Sequence, residues 1–577
     1  MNKKPISYAF VLAFCLSLNT KAQVTISSKF NSQNYWMPAE GGYFGGDLES
    51  YWGDIVSSGV KSMRVGGIAY DAVNNSIGTT HKWTSSELAS GTSSIIYELK
   101  NTYNLDPIIQ VPIDITQSIA TNVTNAQNLV YDINVTHGRN ITYWEIGNEP
   151  NTSYGGTNNY HLDNNIQSYI QQVSTAMKGV AGQSGIKIIA PSFSFYNSTS
   201  YNNLLGGTND ITGSGANGYY IDYIDFHTYP FQNECFWNTG HQNCSTGYAA
   251  PTRADVINYI AGAYNFKANL QSIIDRIGTH TLRSGTLGLT VTEANISYNQ
   301  DTDSRDVYGL GPGSFLGGQF WAEMMGAAME KGVEFVSFWG VKEGSGPDYL
   351  TDLGYIGAET DRKRSTYWHY KMLATNFTGT FLPNVSSYTG NTNCKAFACT
   401  TGSEIRVLVM NQAEQSPRGS DNTVEQFKIK FDGTTPASGI MRFSFAAGSG
   451  TEYTCDIQKE ASMFLAFNLS GGFLRSEVYT LQDALRGESD VGPNTWVGGT
   501  QTINSSALYV SSRSNNAKVY TTITIGGAAI TPGTLGNNTY QFTSSGSING
   551  SSGLFSSSAI GVTGNSLCIT AADATCD

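Results

Sequence analysis

The sequence predicts an α/β protein: a (β/α)8 TIM barrel followed by an antiparallel β-sandwich and a β-rich, Ser/Gly-rich C-terminal region. Three observations lead there. From about residue 30 to residue 375, short apolar runs alternate with amphipathic helical stretches, the pattern of repeated β/α units around a parallel sheet. Beyond that the apolar period drops to two, as where Phe427, Ile429 and Phe431 alternate with Lys428 and Lys430, which suits antiparallel strands. From about Val491 onward Gly, Ser, Thr and Asn dominate, with short β-like pieces such as Ala517 to Ile525.

Taken in order, the chain begins with Lys3 and Lys4, an apolar run from Tyr8 to Leu18 and a small-x-small pattern at Thr20-Lys21-Ala22. This reads as a secretory signal peptide over residues 1–22 and implies a secreted, periplasmic or cell-surface location. Cys15 follows the bulky Phe14, which suits lipoprotein processing poorly. The barrel is placed at residues 23–378. Its strands are a first one near Phe30 to Trp36, then Ser62 to Val65, Ile108 to Pro112, Ile141 to Ile146, Ile186 to Ala190, Tyr223 to Phe226, Leu287 to Thr292 and Glu334 to Phe338. Helices between them include Ile166 to Val180 and Phe315 to Glu330, and a last one from Ser365 to Thr375 closes the barrel. The sandwich is placed at residues 379–485, with runs at Ile405 to Met410, Ile440 to Phe445 and Met463 to Leu469, and the tail at 486–577.

Composition narrows the partners. Only 14% of residues are charged and the formal net charge is -12, which excludes a nucleic acid or another polyanion held by bulk electrostatics. No later stretch approaches the ~20 apolar residues of a membrane span. Cys235 with Cys244, Cys394 with Cys399, Cys455, and Cys568 with Cys576 read as disulfides of an oxidising compartment with one thiol left over. No Cys/His spacing suggests zinc, so no cofactor is expected, and nothing in the sequence fixes an oligomeric state.

The stretch Tyr143-Trp144-Glu145-Ile146-Gly147-Asn148-Glu149-Pro150-Asn151 organises the rest. Pro150 cannot continue a strand ladder, so the strand stops and leaves the Glu149 carboxyl at its end. Thr290-Val291-Thr292-Glu293 repeats the arrangement three strands on. Asn148 stands beside Glu149, and Arg64, His227, Tyr229 and Trp339 fall at the ends of other predicted strands; all face the same mouth, where the active face of such a barrel lies. A carboxyl pair across a pocket suits cleavage of a glycosidic bond, so the expected partner is a carbohydrate. Arg64 and the Tyr229 hydroxyl are expected to keep Glu293 ionised as nucleophile, while Glu149 holds a proton as acid/base. Asn148 would hold a sugar hydroxyl beside the reacting carbon, and Trp339 would floor the sugar ring. The strand spacing predicts carboxyls roughly 5–5.5 Å apart and hence retention of configuration.

Four segments carry a family resemblance: Trp144-Glu145-Ile146-Gly147-Asn148-Glu149-Pro150-Asn151, Met63-Arg64-Val65-Gly66-Gly67, Phe226-His227-Thr228-Tyr229 and Thr292-Glu293-Ala294. Together they resemble the signatures of the retaining (β/α)8 glycoside hydrolases of clan A. Over about residues 30 to 470 the chain is most similar to the families of heparanase and β-glucuronidase, of α-L-arabinofuranosidase, and of β-xylosidase with α-iduronidase. The resemblance implies Glu149 as acid/base, Glu293 as nucleophile, and Arg64, Asn148, His227, Tyr229 and Trp339 as the substrate-binding shell. A competing reading is a surface glycan-binding protein without catalysis whose β-rich tail does the work. Asp301, Asp303 and Asp306 lack the rest of a calcium loop and read as solvated. Trp36, Tyr70, Trp237 and Tyr349 are either sugar-stacking or packing aromatics.

Overall fold

A computed structural model of the protein describes residues 24–36, 49–71, 88–152, 158–231, 251–260, 265–297, 307–342, 353–357, 361–382, 393–418, 421, 423–430, 440–442, 452–469, 473–485 and 492–500, and strands at 506–510, 513–514, 517–524, 539–543, 560–563 and 566–570. The signal peptide, Cys15, Cys235, Cys244, Cys576, Trp237, Tyr349 and the Asp301, Asp303 and Asp306 loop lie outside the described residues.

Eight parallel strands close into a barrel in chain order: β1 (Asn31–Trp36), β2 (Ser62–Gly66), β3 (Asp106–Val111), β4 (Tyr143–Ile146), β5 (Lys187–Phe193), β6 (Tyr223–Thr228), β7 (Gly288–Ala294) and β8 (Val336–Phe338). Val336 of β8 pairs back with Asn31 of β1 and completes the ring. The strands are rich in β-branched and aromatic residues and buried on both faces, as parallel strands covered by helices must be. Ile108, Tyr143, Ile189 and Phe335 form an apolar cluster of their own, with Tyr223 packed against it. Several strands run further than the sequence predicts: β6 continues to Thr228 and β7 to Ala294.

The helices follow the predicted spans closely. Ser118 caps α1 (Ile119–Val130) by accepting the Thr121 N–H at 3.1 Å. In α2 (Asp163–Lys178), Ile166, Tyr169, Ile170, Val173 and Met177 are buried, as their helical spacing predicts. Helix α3 spans Phe266–His280. Helix α4 (Phe315–Glu330) departs from the one-faced pattern and is buried from Phe315 through Met329. The reason is a second layer. Gln319 on α4 donates to the carbonyl oxygens of Asn411 at 3.2 Å and Ala461 at 3.0 Å, both outside the barrel. His369 on α5 (Ser365–Asn376) sits 2.7 Å from Ser462 Oγ, and burial pushes its imidazole down to about 4, so it packs there uncharged.

That second layer is a separate, mainly antiparallel sheet. Its strands β9 (Thr380–Leu382), β10 (Cys394–Thr400), β11 (Glu404–Asn411), β15 (Ala461–Asn468) and β16 (Phe473–Thr480) are neighbours in that order. Strands β12 (Val424–Lys430), β13 (Ile440–Arg442) and β14 (Glu452–Gln458) form a three-stranded sheet, and Ile457 of β14 joins the apolar cluster of Leu382, Val407 and Leu465. Val24–Thr25 pairs with Thr380 and Phe381, so the first described residues belong to this sheet. Two paired residues carry no period from which the sequence could have shown this. The expected Cys394–Cys399 disulfide does not form. Both lie five positions apart on the single strand β10, roughly 17 Å at strand rise, whereas a disulfide needs Cα atoms roughly 4.4–6.8 Å apart.

Gly147 ends β4 with φ +72°, and a Cβ there would lie 2.3 Å from Ile113 Cδ1. Both the left-handed backbone and this contact require glycine. Gly147→Ala is expected to lower stability by roughly 2–3 kcal/mol. The check is a lower urea midpoint at unchanged m-value; an unchanged midpoint would show that the turn tolerates a side chain.

Candidate active site

The barrel interior near the C-terminal strand ends is built around one guanidinium. Arg64 is fully buried in β2 and donates along all five of its N–H directions. Nε reaches Glu145 Oε2; Nη1 reaches Asn34 Oδ1 at 3.0 Å and Glu293 Oε2 at 2.9 Å; Nη2 reaches Asn148 Oδ1 at 2.8 Å and Gln110 Oε1 at 3.4 Å. These partners come from β1, β3, β4, the turn after β4, and β7. Register places them: Asn34 pairs with Arg64 across β1 and β2, and Gln110 with Glu145 across β3 and β4. Burial disfavours the Glu145 charge, but the Arg64 guanidinium and then His227 outweigh it and hold this carboxyl down at about 2.

His227, in β6 beside Glu293 in β7, is the second hub. Its Nδ1 lies 2.9 Å from Glu149 Oε1 and 3.5 Å from Glu293 Oε2. Its Nε2 lies 3.1 Å from Thr292 Oγ1 and 3.5 Å from Glu145 Oε1. Burial lowers the imidazole, yet the Glu293 charge and the hydrogen bonds to Glu145 and Glu149 raise it to about 10, so it is an imidazolium at neutral pH. The nearest oxygens of Glu149 and Glu293 and the His227 nitrogen all lie within 4.8 Å of one another. Glu149 itself sits at φ 50°, its N–H donating to Ser192 O at 3.0 Å. A non-glycine residue in the left-handed region is held by its surroundings at a cost of roughly 1–3 kcal/mol, and here the turn swings the carboxyl out over the barrel mouth.

The structure brings Arg64, Asn148, Glu149, His227, Tyr229 and Glu293 together. The Tyr229 hydroxyl donates to Glu293 Oε1. Trp339, at the end of β8, packs with Tyr229 and Leu353 in a small apolar cluster beside them. The Asn148 N–H donates to Asp71 Oδ2 at 2.8 Å, and its Oδ1 accepts from Arg64 Nη2. Burial raises the Glu293 carboxyl above its ordinary value, while His227, Arg64 and Tyr229 all favour its charged form. Tyr70 is a core residue, 1% exposed.

Sequence reasoning missed Asn34, Asp71, Gln110, Glu145, Asp225 and Thr292. Asp71 accepts from Gln110 Nε2 and the Ile113 N–H, both at 2.8 Å, and so fixes the loop that carries Asn148. A usable signal was present: Gln110 and Glu145 are polar residues inside mainly apolar strands, where each needs a partner; Asn34, in the polar run Asn31-Ser32-Gln33-Asn34, carries no such contrast. Glu145, Asp225 and His227, like Glu149, His227 and Glu293, come close enough to ligate an ion. Arg64 already bonds Glu145 and Glu293, and both His227 nitrogens face hydrogen-bond partners, so a further cation would meet charge repulsion here.

This architecture has solved counterparts. An α-L-arabinofuranosidase from Thermotoga maritima in complex with arabinose superposes with a TM-score of 0.51 at 14% identity, over 77% of this chain and 98% of that one. A family 51 α-L-arabinofuranosidase from Bifidobacterium longum gives 0.50 at 12% identity, over 78% and 98%. At these identities the likeness is one of fold alone. A monomeric β-xylosidase from Caulobacter crescentus gives 0.46 at 15% identity, over 72% of this chain and 82% of that one. No protein-family model and no curated protein matches the chain.

Glu145→Ala would strand the buried Arg64 Nε and is expected to cost about 3–5 kcal/mol in urea unfolding at pH 7. Because the folded carboxyl is held at about 2, below its unfolded value, its contribution is present above the ordinary glutamate range and fades as pH falls toward 2. Parent and variant stabilities should therefore converge in acid. A gap independent of pH would mean that the loss is one of packing alone.

Proposed function

We propose that the chain is an exported glycoside hydrolase that cleaves O-glycosidic bonds of a poly- or oligosaccharide by double displacement, with Glu293 as nucleophile and Glu149 as acid/base. The observation that carries this reading is the pairing of two strand-end carboxyls across one imidazolium, their nearest oxygens within 4.8 Å. A gap of that size lies on the side of the roughly 5–5.5 Å of retaining enzymes and short of the roughly 6.5–9.5 Å that inverting ones use to seat a water. The arabinofuranosidases that share the fold are named for the same class of reaction, which favours a carbohydrate substrate.

In the first step Glu149 gives its proton to the glycosidic oxygen, the bond from that oxygen to the anomeric carbon breaks, and a Glu293 oxygen bonds to that carbon. In the second, Glu149 takes a proton from water, the hydroxide oxygen bonds to the anomeric carbon, and the bond to Glu293 breaks. Having given up its proton in the first step, Glu149 is the carboxylate that acts as base in the second. Arg64 and Tyr229 grip the two oxygens of Glu293, so its approach to the sugar is fixed before substrate arrives. In this reading Asn148 Nδ2 donates to the hydroxyl beside the reacting carbon, and Trp339 is the apolar wall for the sugar ring.

Glu293→Ala should remove turnover by several orders of magnitude while leaving folding intact; near-parental activity would exclude the role. Proton NMR should show the first-formed anomer with retained configuration, and an inverted product would refute double displacement. Since the nucleophile must be ionised and burial raises Glu293, the rate should rise with pH through a limb above the ordinary glutamate range. Tyr229→Phe removes a donor that favours the charged form, so this limb should move to higher pH. An unmoved limb would dissociate it from Glu293.

A further inference from the structure

Beneath Glu149 and Glu293 lies a second, fully buried acidic layer that the reaction above does not use. Glu145 of β4 and Asp225 of β6 are both 0% exposed, and Thr292 of β7 stands between them. Thr292 Oγ1 lies 2.8 Å from Glu145 Oε1, 3.1 Å from His227 Nε2, and in close contact with Asp225 Oδ2. A hydroxyl has one hydrogen to give and can accept two. His227, as imidazolium, donates into this oxygen. Its single hydrogen cannot then serve two carboxylates. One of the two acids must itself donate, or two oxygens face each other unbridged in a water-free interior.

The surroundings identify which acid carries the proton. Glu145 receives Arg64 Nε on its other oxygen and faces His227, so it stays charged. Asp225 has no guanidinium contact. Its Oδ1 accepts the Thr292 N–H at 2.8 Å and the Thr290 hydroxyl at 3.0 Å, an acceptor role suited to a carbonyl oxygen, while among the described residues Oδ2 meets Thr292 Oγ1 and, at 3.9 Å, His227 Nε2. We propose that Asp225 works as a neutral carboxylic acid, its Oδ2–H donating to Thr292 Oγ1 while the Thr292 hydrogen goes to Glu145, and that this chain positions His227 between Glu149 and Glu293. Every polar atom of the layer is then satisfied. The electrostatics agree in direction: burial pushes the Asp225 acid up to about 7 against the pull of His227, with the Glu145 charge adding to the rise. The groups that face His227 are Glu145 and Glu149 from β4 and its turn, Thr292 and Glu293 from β7, and Asp225 from its own strand; Arg64 of β2 bonds both Glu145 and Glu293. Asp225 is a positioning residue, since it reaches the reacting atoms only through His227.

The effect on turnover rests on the roles given above to Glu149 and Glu293, but the proton does not, which keeps the two failures apart. Carbon-13 NMR of the full chain labelled at the aspartate carboxyls reads the proton whether or not a substrate is known. One aspartate signal should titrate near pH 7, be missing in Asp225→Asn, and shift in Thr292→Val, which also guards against an Asn variant that does not fold. Asp225→Asn imitates the neutral acid, keeping the acceptor at Oδ1 and a donor toward Thr292. It should retain kcat/KM within a few fold near pH 6. A group whose folded value is raised contributes stability that is lost as pH climbs through that value, so the parent Tm should fall relative to Asp225→Asn between pH 5 and pH 8. Aspartate signals that all titrate below about pH 5, or a Tm difference that does not change with pH, would overturn the proposal. An inactive but folded Asp225→Asn would show that the side chain works as an anion and would overturn it as well. If the near-neutral titration is found and the parent hydrolyses no glycan, the proton stands and the glycosidase reading falls.

Discussion

A guanidinium without water is an expensive thing to place inside a protein, of the order of several kcal/mol after relaxation, and it is tolerated only when every N–H finds a well-placed acceptor. Arg64 meets that condition with partners from five places around the barrel, and two of them are carboxylates. The requirement runs both ways. Glu145 and Glu293 are buried acids that need the cation, and Asn34, Gln110 and Asn148 are amides whose orientation the cation decides. Closing the barrel and satisfying this charge are therefore the same event, because the acceptors gather only when β1, β2, β3, β4 and β7 stand in register.

From that centre the polar interior grows toward the mouth in two layers. The lower one, with Glu145, Asp225 and Thr292, is dry. The upper one opens to solvent: Glu149 keeps a side chain 20% exposed and Glu293 one 10% exposed. His227 joins the layers, one ring nitrogen to each. The arrangement gives the two upper glutamates different surroundings: Glu293 is gripped by a guanidinium and a phenol, while Glu149 is carried on a turn with His227 Nδ1 at 2.9 Å and the Glu293 carboxyl within 4.8 Å. The proposed nucleophilic and proton-carrying roles call for two carboxyls in different surroundings. The flanking sheet takes no part in it. Through Gln319 and His369 it instead covers α4 and α5, which would otherwise expose apolar faces to water.

The barrel was legible because repetition carries it: eight apolar runs separated by helical periods leave few alternatives, and each run became a strand. The residues at the strand ends were legible because strands stop there for visible reasons, Pro150 after Glu149 being the clearest. What stayed hidden depends on contacts distant in sequence. Glu145 looks like any polar residue in a strand until Arg64, 81 positions away, is seen against it. The pairing of Val24–Thr25 with Thr380–Phe381 spans most of the chain on two residues. Cysteine spacing misled for the opposite reason: Cys394 and Cys399 are close in sequence, but an extended strand holds them apart. The rise of Glu293 could not be read either, because it follows from how completely the folded barrel excludes water, against which two cations pull in vain.

The central claim is that Glu293, held by Arg64 and Tyr229, forms a bond to the sugar. Incubating the protein with a 2-deoxy-2-fluoro glycosyl fluoride of a sugar it cleaves slows both steps but supplies a good leaving group for the first, so the intermediate accumulates. Peptide mass spectrometry of the digested adduct should place one glycosyl mass on Glu293 and none on Glu149 or Glu145. Turnover of the fluoride without any adduct, or an adduct on another carboxyl, would contradict the account.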